Sequence, residues 1–116
     1  MAKFLQDIGG SLSSFTAAVD DSPGKLVATG PTLITGFNIK NNVAAVSYIQ
    51  CFNAASLSDV NLGTTVPDYV IPVPTSSQVV LALTFPLYFS LGLCVFSTTT
   101  STGSTGASQD VSMLYA

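Results

Sequence analysis

The sequence predicts an all-β fold, an antiparallel β-sandwich of jelly-roll-like or Greek-key type in a single domain. Three observations predict it. Apolar residues recur with a period of two, as along a strand with one buried face, rather than with the 3.6-residue period of a helix. Nine glycines, six prolines and clusters of Asn, Asp, Ser and Thr punctuate these stretches at short intervals. In 116 residues, 47% hydrophobic and only 8% charged, there is material for one core and no room for a second. An average domain carries about 25% charged residues, so this one must cover its solvent face with Ser, Thr, Asn, Gln and Gly. Disorder is excluded, because it requires low hydrophobicity and high charge.

Residues 1–24 form a distinct first segment. Phe4, Leu5, Ile8, Leu12, Phe15 and Val19 recur irregularly before Asp20-Asp21-Ser22-Pro23-Gly24 breaks the chain. The segment reads as an N-terminal arm or a first strand, and residues 25–116 as the sandwich proper. Lys25–Thr29 and Thr32–Asn41 are predicted strands, the second with Leu33, Phe37 and Ile39 alternating against polar neighbours. After an Asn41-Asn42 turn, Val43–Asn53 has apolar groups on both faces and is predicted to be central. Residues 54–66 are loop-like, rich in Ser, Asn, Gly and Thr. Pro67–Pro74 is bracketed by prolines, and Pro72 within it lacks a ladder donor, which predicts an edge strand. Gln78–Phe85 sets Val79, Leu81, Leu83 and Phe85 on one face; Pro86-Leu87 is predicted to turn the chain into Tyr88–Thr99. The Ser/Thr/Gly-rich run Thr98–Ser108 reads as a mobile surface loop, and Asp110–Tyr115 as the closing strand.

The same rows exclude most chemistry. There is no Glu, Arg, His or Trp; the charged side chains are six aspartates and three lysines. Proton shuttling near neutrality uses His or a tuned Glu, bidentate anion capture uses Arg, and zinc sites need Cys and His in number. No enzyme, no cofactor and no metal site is therefore expected. Asp20-Asp21 lacks the spaced acidic loop that calcium requires, and Gly103–Gly106 lacks the lysine of a phosphate loop. A net charge of −3 and the absence of clustered lysines argue against a nucleic-acid partner. Residues 1–10 lack the continuous apolar core of a secretory signal, so synthesis in the cytoplasm is expected, with Cys51 and Cys94 as buried free thiols. Val79–Phe96 is nearly long enough to span a bilayer. Thr84, Pro86, Ser90 and Gly92 interrupt it and no Lys or Arg follows Lys40, so two buried strands and no membrane partner are expected.

What remains is structure or binding. So few charges give little self-repulsion, and aromatic groups at edges or termini suit interface rims. Phe4, Leu5, Tyr69, Tyr88 and Tyr115 are the candidate interface residues.

Gly30-Pro31-Thr32-Leu33-Ile34-Thr35-Gly36-Phe37-Asn38-Ile39-Lys40-Asn41, Tyr48–Ala54, and Val66-Pro67 through Ile71-Pro72-Val73-Pro74 together resemble a type of small tailed-bacteriophage virion protein. Phe85–Val95 and Asp110–Tyr115 complete the similarity, which covers about residues 26–115. The resemblance implies a β-sandwich capsid decoration, or cement, protein that staples neighbouring major-capsid subunits on a virion, commonly as a homotrimer, or else a tail or fibre component. On this reading the partners are the major capsid protein and the chain itself, and residues 1–24 are expected to cross to another subunit or to the shell. The rival is a stand-alone carbohydrate-binding or adhesin sandwich, which exposed aromatics and Asn or Asp would serve.

Overall fold

The computed structural model describes residues 12–116, and these build two four-stranded antiparallel sheets packed face to face. The strands are β1 (Ser13–Val19), β2 (Lys25–Thr29), β3 (Thr32–Asn41), β4 (Ser47–Asn53), β5 (Tyr69–Val73), β6 (Gln78–Phe89), β7 (Gly92–Thr98) and β8 (Gln109–Tyr115). A single 3-10 turn, Leu57–Asp59, is the only helical element among the described residues. Sheet A runs β1-β8-β3-β6 and sheet B runs β2-β7-β4-β5. The partners 1 with 8, 2 with 7, 3 with 6 and 4 with 5 are those of one long antiparallel ribbon rolled on itself, which is the strand order of a jelly roll.

Alternation decides what each strand buries. In sheet A, Phe15, Met113, Phe37 and Leu81 lie in one row across the four strands, and Ala17, Val111, Ile39 and Val79 in the next. These rows face sheet B, where Ile49, Cys51, Ile71, Val73, Leu93 and Val95 complete the core. As expected, β4 is central, with Ser47, Ile49 and Cys51 toward that core and Phe52 on the opposite face. Phe52 is buried there because residues 54–66 fold back over it: Leu57, Val60 and Leu62 pack on Phe52, Cys94 and Phe96, and the two rings meet edge to face at 5.6 Å. Pro72 sits on an edge strand, where no neighbour needs its missing N–H.

Four expectations change. Of the two readings of residues 1–24, arm or first strand, Ser13–Val19 takes the second: it pairs with β8 in sheet A with Phe15 and Val19 on the core, so these residues do not cross to another subunit or to a shell. Strand β4 starts at Ser47 and not Val43, since Asn41 holds the intervening turn: its amide donates to the carbonyls of Ala45 (2.7 Å) and Pro74 (3.1 Å), and its Oδ1 accepts from Val43 N. A bulge at Thr35 resets the alternation of β3, so Ile34 takes the core position and Leu33 faces away. Finally, Pro86-Leu87 is no turn. Strand β6 continues to Phe89; opposite the two steps from Ile34 to Gly36, it takes five from Leu87 to Ala82, and this outward excursion absorbs the proline.

The Ser/Thr/Gly run is fastened, not free. Gln50, buried on β4, donates from Nε2 to Thr98 Oγ1 (2.7 Å) and Gly103 O (3.0 Å), while Thr99 N reaches Thr105 O. Gln109 donates to Ser97 Oγ at 2.7 Å, and Ser97 Oγ to Ala107 O. Side-chain amides thus reinforce the short main-chain pairing of residues 97–99 with residues 105–107. Val79–Phe96, the stretch nearly long enough for a bilayer, lies in β6 and β7 and the turn between them, and no helix among the described residues is long and apolar enough to cross a membrane.

Candidate association surface

Exposed apolar area gathers on β6. Inter-sheet contacts run from β1 to β7 and from β3 to β5, so β6, one strand beyond β3, overhangs the edge of sheet B. Its inward row therefore loses cover: Leu81 is 46% exposed, and Phe85, in the excursion, 84%. On the other face Val80 is 69% and Tyr88 62% exposed. Leu114 and Leu91 add exposed area beside them. No charged residue lies anywhere in Gln78–Phe89.

The face of sheet A turned away from sheet B carries an open groove of about 390 Å³. Gly36 forms its floor, and Ala82, Val80, Leu114 and Thr16 line its sides. The register explains it: Gly36, Ala82 and Leu114 stand in one row, and a row holding a glycine and an alanine leaves a trough.

The five residues singled out from the sequence do not converge. Tyr88 is the one that is exposed, on β6 opposite Leu33. Tyr69, on β5 opposite Cys51, and Tyr115, at the end of β8 opposite Ile34, are half-buried and pack against the core. Phe4 and Leu5 lie outside the described residues. Val80, Leu81 and Phe85 were missed because a continuous apolar strand reads as buried; the signal available was the absence of charge between Asp68 and Asp110, which suits an edge meant to be covered as well as it suits a core.

The surface holds no reactive constellation. Among the described residues no three of His, Cys, Asp or Glu come together as metal ligands. Cys51 points into the inter-sheet core and Cys94 into the second cluster on the opposite face of sheet B, so the two free thiols cannot meet. Burial, with a smaller push from Asp68, raises the Cys51 thiol from an ordinary 9.0 to about 12; burial and Asp59 raise Cys94 to about 11. Since the folded chain holds these protons more tightly than the unfolded one, the contribution to stability is complete below pH 9 and falls as pH rises from there toward 12. The expected result is that neither thiol reacts with a disulfide reagent at pH 8 in buffer, and that both react in denaturant. Stoichiometric reaction of the native chain would contradict this packing.

Among known proteins, no family model, no curated protein and no solved structure matches the chain.

Proposed function

We propose that the chain is a structural virion protein that decorates a bacteriophage capsid and stabilises it by bridging major-capsid subunits. One observation carries the reading: a small sandwich with few charges exposes four large apolar side chains, Val80, Leu81, Phe85 and Tyr88, along one uncharged edge strand, a surface suited to association. The resemblance over residues 26–115 supplies the setting, a virion. The jelly roll does not choose between settings, since viral shells and sugar-binding lectins both use it. A chain that bridges two subunits makes its second contact intramolecular, so two modest contacts suffice for stable decoration.

The test has two parts: protein mass spectrometry on purified virions of the phage that encodes the chain, and co-sedimentation of the purified chain with shells that lack it. The expected outcome is the chain in virions at a fixed ratio to the major capsid protein, with saturable binding to shells. Absence from virions and from the pellet overturns the proposal. Glycan-array binding lost on Tyr88→Ala would then assign the chain to the sugar-binding class.

A further inference from the structure

We infer that the edge of β6, which no described strand covers, is the seam between two copies of this chain, which pair their β6 strands antiparallel about a two-fold axis at Val80. The inference deepens the assembly reading and rests on it only for the use made of the pair.

The main chain sets the geometry. Asn41 N–H donates to Ser77 O at 2.9 Å, continuing the register in which Lys40 faces Gln78. Bonded pairs alternate along an antiparallel ladder, so Ile39 with Val79 and Phe37 with Leu81 also turn their main-chain groups toward each other. The N–H and C=O groups of Gln78, Val80 and Ala82 therefore point away from β3, into the open edge. Gln78–Ala82 is the regular part of this edge, ending where the excursion begins. Val80 is its midpoint. Turning a second copy about that point sets Val80 against Val80 and Gln78 against Ala82, and every outward donor meets an outward acceptor. An antiparallel edge is complementary to itself in this way, which is what a two-fold contact requires.

Side chains agree with the backbone. On the sheet face, the two Val80 side chains form a β-branched cross-strand pair. On the core side, Leu81 of each copy stands beside Val79 of the other, restoring the cover that Leu81 lacks at the overhang. The two Phe85 rings flank the seam. A specific interface buries about 1,000 Å² or more, and Val80 and Leu81, 69% and 46% exposed, bring apolar side chains to the seam on the two faces of the sheet.

The other edges are unsuited. Strand β5 has five residues and carries Pro72; β2 has five, a bulge after Leu26 and a lysine; β1 is mainly Ser, Thr and Ala. Exposed edges normally carry lysine, proline or a bulge that blocks pairing. In β6 the devices of this kind, the excursion and Pro86, begin only beyond Ala82. A two-fold pair presents two identical outer surfaces, so each copy can hold one capsid subunit. It also makes a dimer where the resemblance implies a trimer.

Light scattering on the full-length chain is expected to give twice 11.9 kDa. Val80→Lys sets two like charges opposite each other and is expected to weaken self-association roughly tenfold or more, with the β circular-dichroism spectrum unchanged. Val80→Cys is expected to give a disulfide-linked dimer on mild oxidation, since facing Cα atoms of a bonded pair lie about 5.5 Å apart, within disulfide reach. The native thiols are buried and do not compete, and Val66→Cys, exposed elsewhere, serves as the uncross-linked control. A monomeric or trimeric wild type, or a dimer indifferent to Val80→Lys, overturns the inference. Absence from virions would overturn the capsid reading and leave the dimer result standing.

Discussion

A chain that starts at Leu12, which keeps all eight described strands, is expected to melt cooperatively, whereas one that starts at Lys25 is expected to show no cooperative transition. The reason is the position of β1. It pairs with β8 at seven consecutive positions, from Ser13 opposite Tyr115 to Val19 opposite Gln109. Without it, β8 becomes an edge and Val111 and Met113 lose the cover of Ala17 and Phe15 in their rows. Withdrawing Val19, fully buried, and Phe15, partly buried, forfeits roughly 2–5 kcal/mol of apolar burial, against a total stability of ~5–15 kcal/mol for a domain of this kind. Ser97 N also loses its acceptor, Asp20 O, at 3.1 Å. Thermal circular dichroism on the two truncated chains checks this. A cooperative melt of the shorter chain near the wild-type temperature would place β1 outside the folding unit and restore a 24-residue arm.

That boundary illustrates what could be read in advance. Strands β2, β3, β5, β7 and β8 were legible because apolar residues recur between turn residues in each, although bulges after Leu26 and at Thr35 shift the alternation of β2 and β3 and β7 begins at Gly92 rather than Tyr88; β4 was legible as central because both its faces are apolar. Strand β1 was obscured by Ser13, Ser14 and Thr16, whose polar outward row leaves only Phe15 and Val19 as the periodic signal. Pro86 misled for a different reason. Proline marks turns through its fixed φ and its missing donor, yet an excursion on an edge strand meets both constraints without reversing the chain. The Thr98–Ser108 run looked free because one anchor, Gln50, comes from a distant position in the chain, and the other, Gln109, acts by joining the run's end to Ser97 at its start.

For the association surface, composition was informative and placement was not. Low charge pointed to a covered surface, but which strand overhangs follows from how the two sheets are offset, a relation between residues far apart in sequence. Of the residues chosen for aromatic area, Tyr69 and Tyr115 turn partly inward because their parity along β5 and β8 assigns them to the core row, and Tyr88 has the opposite parity on β6.

Gly92→Ala is expected to be among the most damaging single substitutions outside the core. Gly92 opens β7 directly after the β6–β7 turn, with φ +150°, a conformation side-chain-bearing residues rarely adopt. A Cβ there would lie 2.7 Å from Ala54 O and 2.8 Å from Ala28 O, both main-chain atoms. Neither can swing aside as a side chain could, since Ala28 belongs to β2 and Ala54 N is bonded to Gly92 O itself. Strain and crowding together are expected to cost on the order of 3 kcal/mol, a fall in melting temperature of roughly 10–15 °C for a domain of this size. Gly30→Ala isolates the first contribution. Gly30 has φ +77° but nothing within 4 Å of the added carbon, so only the left-handed conformation is penalised, at about 1–2 kcal/mol. Melting curves for the two variants separate strain from crowding. Equal losses would mean that β7 shifts to relieve the contacts at Gly92; a larger loss at Gly92 means that β2, β7 and the segment after β4 are locked together at that point.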